Sequence, residues 1–349
     1  MVTKVNDIVK VILNVYLPYF SNCLNRFHVS SASHSSSSSS INVFQLGKYT
    51  VSLFPVNPQR STLTSSPLFN HSLTVPLLIA TPTEEGEFPI LVFLHGFLLE
   101  NSFCSQLIQH IASHGFIVVA PPQLPNSGEI ESAKGVTEWL SVGLCPVLPP
   151  VVRPNLSKAA LGGHSRGGKI AFGLALSYTS NPKSNSDSSL IKYSALVGID
   201  PVEGLMKGIP IPPLVLTYVP HSFDLDMAAL VVGSGLGEIK RNPLFFACAP
   251  KGVNHEEFYS ECRSPACHFV VKDYGHMDTL DDETKGIKGA VTYCACKNGK
   301  SREAMRSFVG GITVAFMKAY LEGDDSYLNA IKDGKNINLP VQLQTVEFL

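Results

Sequence analysis

Lys158-Ala159-Ala160-Leu161-Gly162-Gly163-His164-Ser165-Arg166-Gly167-Gly168-Lys169-Ile170-Ala171-Phe172 reads as a short apolar strand, a sharp turn tipped by a serine, and the start of an amphipathic helix. A serine hydroxyl becomes a nucleophile only where a base can reach it, and a strained strand-to-helix turn lifts it above a sheet for that purpose. Gly163 and Gly167, two residues either side of Ser165, let strand and helix pass close together. With His164 they complete a G-x-S-x-G elbow. The helix N-terminus behind the serine favours negative charge at the same point. A bare match is often only a glycine-rich turn; the strand before it and the helix after it favour a nucleophile.

An elbow of this kind predicts an oxyanion loop upstream, then an acid and a histidine downstream. Upstream, Phe88-Pro89-Ile90-Leu91-Val92-Phe93-Leu94 is a buried-strand run ending in His95-Gly96-Phe97. The backbone N–H groups of Phe97 and Arg166 are the candidate oxyanion donors, and losing one such donor typically costs ~10²–10³ in rate. The His95 side chain reads as a turn residue. Downstream, Asp200 ends a strand in Gly198-Ile199-Asp200-Pro201-Val202, and Glu238 follows the next one in Gly233-Ser234-Gly235-Leu236-Gly237-Glu238. Position alone divides the acid's role evenly between them. His276, in Asp273-Tyr274-Gly275-His276-Met277-Asp278, closes the last strand and lies after both acids, as the order requires. His221 and His255 are its rivals, both in loops where turn contacts are the ordinary role.

Outward from the elbow, strand-like and helix-like runs alternate, which predicts an α/β fold with a doubly wound, mostly parallel sheet flanked by helices. Val43 to Leu53 and Leu73 to Ala80 read as an antiparallel edge. Strands are expected at Pro89–Leu94, Gly115–Ala120, Tyr193–Ile199, Met227–Gly233 and His268–Lys272, and helices over Ser105–His114, Ile130–Leu140 and Arg302–Leu321. Asn181–Ser189 is a polar, low-complexity loop. Residues 41–325 are expected to form one domain, followed by a tail at 326–349.

Residues 1–40 differ from the rest. An apolar run interrupted by Lys10, the serine tract Ser35–Ser40 and a near absence of acid resemble an organelle transit segment, with a plain disordered leader as the alternative. A chloroplast address is one reading; cytosol or endomembrane remain open. Lys and Arg number 27 against 28 Asp and Glu in 349 residues, with no basic stripe, so nucleic-acid binding finds no support. The chain is 44% hydrophobic and 16% charged, which leaves room for a greasy substrate or peripheral membrane contact. No run of about 18 consecutive apolar residues predicts a transmembrane helix. Cys262, Cys267, Cys294 and Cys296 fit no standard zinc spacing, so disulfides or buried thiols are expected rather than metal. No cofactor is implied, because a serine triad needs none, and oligomeric state is open.

From about residue 75 to 325 the chain resembles the plant chlorophyllases. The resemblance rests on Ile111-Ala112-Ser113-His114-Gly115-Phe116-Ile117-Val118-Val119-Ala120-Pro121, Gly163–Lys169, Val197–Val202, Val231–Gly237, Asp273–Asp278 and Gly310-Gly311-Ile312-Thr313-Val314-Ala315-Phe316. It implies an α/β-hydrolase that cleaves the phytyl ester of chlorophyll to chlorophyllide and phytol. It places the triad on Ser165, Asp200 and His276, with the acid on the Asp of the I-D-P-V motif. Leu98-Leu99, Val147-Leu148 and Leu205–Val219 are candidate walls for a phytyl groove. A general esterase of smaller acyl esters, or a non-catalytic hydrolase-fold binding protein, are the competing readings.

Overall fold

The computed structural model describes residues 42–57, 75–122, 128–180, 191–243, 246–284, 286, 289, 294–334 and 338–349. The leader at 1–40 and the loop at 181–189 lie outside the described residues. The order is β1 (Val51–Val56), β2 (Leu77–Pro82), β3 (Gly86–Leu94), α1 (Ser105–Ser113), β4 (Ile117–Ala120), α2 (Glu129–Trp139), β5 (Val152–His164) and α3 (Arg166–Ser180). Then come β6 (Tyr193–Ile199), the small hairpin β7 (Gly204–Met206) and β8 (Ile209–Pro210), β9 (Ala228–Ser234), α4 (His255–Glu261), β10 (Ala266–Val271), α5 (Arg302–Met317), α6 (Ser326–Asp333) and β11 (Leu343–Phe348).

All strands but the hairpin join one nine-stranded sheet in the order β1-β2-β4-β3-β5-β6-β9-β10-β11. From β4 to β10 neighbours run parallel, and β1, β2 and β11 close the edges antiparallel. The chain winds outward from β3 to β4 and then returns to lay β5 on the other side of β3. That reversal opens a crevice at the carboxyl ends of β3 and β5, where open α/β sheets place their ligands.

Successive side chains of a strand face opposite ways, and both faces here are covered. Leu91 and Phe93 of β3 point to a core built with α1 and α5. Ile90, Val92 and Leu94 point to a second core built with α2, α3 and α4. The doubly wound expectation is met.

Three boundaries differ from the sequence reading. The first edge strand starts at Val51, not Val43. Val43 and Phe44 are instead buried, and Phe44 presses so close to α5 that a side chain at Gly311 would clash with its ring. The elbow strand begins at Val152, not Lys158: Pro154 pairs with Phe88 on one side, while β6 joins only from Ala159. Finally, the residues after 325 are more than a tail. They add α6 and then β11, which pairs antiparallel with β10 from Cys267↔Phe348 to Val271↔Leu343.

Candidate active site

The crevice between β3 and β5 is made by close packing of backbone. A side chain on Gly163 would lie 2.5 Å from Leu94 O, and one on Gly167 would come 2.1 Å from the same atom. Only hydrogen fits at either place. Ser165, between β5 and α3, takes φ 58, a left-handed conformation that costs a non-glycine residue of order 1–3 kcal/mol. Its N–H donates to Ile199 O at 2.9 Å and its carbonyl accepts from Lys169 N at 3.1 Å, so the strained residue is held from both sides. Gly96 lies against it: a side chain there would sit 2.9 Å from Ser165 Cβ.

Asp200 follows β6, also left-handed at φ 44, with its N–H on Val232 O at 2.6 Å. His276 follows β10. Its Nδ1–H donates to Asp200 Oδ2 at 2.8 Å, and its Nε2 accepts from Ser165 Oγ at 2.8 Å. A carboxylate can only accept, so it fixes the proton on Nδ1 and leaves Nε2 bare toward the serine. Burial would lift the Asp200 carboxyl, but hydrogen bonding and charge from His276, with help from Ser234, outweigh it and hold the group below its ordinary value. Ser234, which ends β9, donates its hydroxyl to Asp200 Oδ2 and its N–H to Oδ1 at 3.4 Å.

Glu238 is not part of this line. It accepts from Asn254 Nδ2 at 3.1 Å, and Asn254 caps α4. Of the two candidate acids, strand order brings Asp200 to His276, because β6 lies between β5 and β9. The rival histidines lie elsewhere. His221 Nδ1 donates to Cys262 O at 2.7 Å. His255 shares a 2.9 Å hydrogen bond with His268, whose other nitrogen donates to Glu347 Oε2 of β11 at 2.9 Å.

Other supports were not read from the sequence. His164 Nε2–H donates to the backbone O of His276 at 2.8 Å, and the two rings lie 4.7 Å apart. Burial, with His276 beside it, pushes His164 down to about 3, so it stays neutral. Asp278 Oδ2 accepts from Gly275 N at 2.7 Å and Gly299 N at 2.6 Å, knotting the His276 loop. The Cys248–Cys296 disulfide ties that support to the loop after β9, while Cys104, Cys262 and Cys267 are buried thiols. A hydroxyl at the last residue of β9 and the second acid of Asp273–Asp278 were visible signals, but their partners lie 34 and 21 residues away.

A small pocket, partly open to solvent, lies beside the elbow. Phe97 and Arg166 both line it, with Leu94, Pro122, Glu129 and Ile170. The Arg166 side chain turns away to Glu129, donating Nε–H to Oε1 at 2.7 Å, which leaves its backbone N–H at the start of α3. The runs expected as groove walls are not among the residues lining this pocket: Leu99 and Leu148 are buried, Leu98 and Val147 half-buried, and much of 205–219 exposed.

This sheet, with a serine elbow at its switch point and a histidine and acid on neighbouring strand ends, defines the chain as an α/β-hydrolase. A model of the chlorophyllase family matches residues 39–349. The chain is 54% identical over 322 residues to chlorophyllase-2 of Arabidopsis thaliana, covering 90% of this chain and 99% of that protein. It is 45% identical over 294 residues to chlorophyllase-1 of the same plant (82% and 87% covered), and 41% identical over 301 residues to chlorophyllase-1, chloroplastic, of Citrus unshiu (83% and 86%). The chain belongs to the chlorophyllase family and is an ester-hydrolysing enzyme.

Proposed function

We propose that the enzyme cleaves the phytyl ester of chlorophyll, releasing phytol and chlorophyllide. The observation that carries the reading is the unbroken hydrogen-bonded line Ser165–His276–Asp200 in a chain whose relatives are named chlorophyllases. His276 Nε2 takes the Ser165 proton as Oγ attacks the ester carbonyl. Asp200 keeps the imidazole in the right tautomer and stabilises the imidazolium that forms. The N–H groups of Phe97 and Arg166 hold the oxyanion. Collapse expels the phytyl alkoxide, which receives the proton from His276, and leaves chlorophyllide esterified to Ser165. Water, deprotonated by the same histidine, then frees the acid and restores the serine. A phytyl chain has about twenty carbons at ~0.8 kcal/mol per buried CH₂, so apolar binding alone can hold it. The transit-like leader and the chloroplastic name of the Citrus relative support work in the chloroplast.

The test is hydrolysis of chlorophyll a by the purified protein and by Ser165→Ala, with chlorophyllide measured by chromatography and a short p-nitrophenyl ester run in parallel. Chlorophyllide from the wild type and none from the variant is the expected result. Cleavage of the short ester alone would keep the nucleophile and reject the pigment. Silence on both substrates would make the fold a binding protein.

A further inference from the structure

The helix behind the nucleophile opens against the rule for its end. A helix N-terminus is partially positive and disfavours cations, yet the first turn of α3 carries Arg166 and Lys169. Each is balanced by a carboxylate from outside the helix. Lys169 Nζ donates to Glu203 O at 2.8 Å and lies 3.6 Å from Glu203 Oε2, in a pair closed to solvent and absent from the pocket wall. Arg166 is paired differently. Its Nε–H and Nη2–H grip both oxygens of Glu129, at 2.7 and 2.5 Å, and Nη2 also donates to Pro212 O at 2.6 Å. Glu129 opens α2, so two helix N-termini meet at this carboxylate. Glu129 and Arg166 both line the pocket beside the elbow and, His95 apart, are its titratable residues.

Charge decides what such a pair does to the reaction. An ester is neutral. When Ser165 Oγ attacks it, the hydroxyl proton moves to His276, so the oxyanion forms together with an imidazolium and the set stays neutral. The acid freed from the acyl-enzyme is different. It gives its proton to solvent and becomes a carboxylate beside a neutral His276, so the product alone brings a net negative charge. The oxyanion donors and the positive end of α3 would hold that carboxylate as well. An arginine free beside them would hold it more tightly still, in the forked geometry now given to Glu129.

We propose that Glu129 is a specificity-determining residue: its fixed carboxylate occupies Arg166 and turns free carboxylates away, so that an ester stays in the pocket and the acid made from it leaves. A fixed charge acts on the net charge of what sits near it, so ester and intermediate are spared while the product is not. The inference rests on the ester-cleaving reading of Ser165 for its acid product, and not on which alcohol the ester carries.

The experiment measures equilibrium binding of hexanoate and of hexanamide to the purified full chain by saturation-transfer NMR, near pH 7, where the acid is ionised. The wild type is expected to hold hexanamide about tenfold tighter than hexanoate. Glu129→Gln, which keeps the side chain's size, should tighten hexanoate about tenfold and leave hexanamide within about twofold. Glu129→Gln/Arg166→Gln should lose that gain. A merely structural role would weaken both ligands and tighten neither. Three results would each overturn the proposal: wild type that holds hexanoate as tightly as hexanamide, a ratio of the two that Glu129→Gln leaves unchanged, or a gain that persists without Arg166. The first of these needs no variant to fold. Binding is read without turnover, so a failure of Ser165-dependent ester cleavage and a failure of the Glu129 assignment are separately visible.

Discussion

Each member of the Ser165–His276–Asp200 line is held by backbone before it meets its partner, and this makes single substitutions informative. Asp200→Asn should keep the fold and reverse the His276 tautomer, lowering kcat by about 10⁴, whereas Glu238→Gln should leave kcat within about twofold; a ranking of the two variants in the opposite order would move the acid to Glu238. Ser234→Ala removes a hydrogen bond to a buried carboxylate and should cost about tenfold in kcat with little change in KM, measured on the same ester. The elbow was legible because G-x-S-x-G is local: its glycines, its strand and its helix are contiguous. The position of the acid was less legible, since Asp200 and Glu238 both follow strands; the resemblance pointed to Asp200, and the placement of β6 between β5 and β9 brings that carboxylate to His276.

Among the elements, the last strand was the least readable and does more than its composition suggests. Leu343-Gln344-Thr345-Val346-Glu347-Phe348 is short and half polar, as suits an antiparallel edge, so it read as tail. Yet Phe348 meets Phe269 edge-on with ring centres 5.7 Å apart, and Glu347 holds His268, which in turn holds His255 against the backbone of Gly233. Deleting residues 338–349 should leave the β10 edge unpaired, lower the melting temperature by several degrees and promote aggregation; scanning calorimetry with gel filtration reads both effects. Glu347→Gln, which keeps the strand, should lower kcat far less than the deletion.

At the scale of the whole molecule, five histidines of the described residues are pushed down by burial: His110, His114, His164, His255 and His268. Burial pushes His114 and His255 down to about 4 and His164 to about 3, each stripped of water. Unfolded histidines take up protons near pH 6.5, so between there and about pH 4 the unfolded chain binds more protons and stability falls with acid. At pH 5 each of the three costs about 2 kcal/mol. Asp281, raised by burial to about 6, works the other way below that pH and returns about 1 kcal/mol. The melting temperature should therefore drop by roughly ten degrees from pH 7 to pH 5. A melting temperature that holds steady over that range would mean these imidazoles are already solvated in the native state. The carboxyl ends carry Ser165, Asp200 and His276, while the amino ends bear exposed ion pairs such as Lys192–Asp226 at 3.2 Å and Arg263–Asp224 at 2.7 Å. The protein thus has a natural handle: anchored to a solid support through Lys192, it would present its working edge to the medium, whereas anchored through Lys207 it would lie face down on the resin.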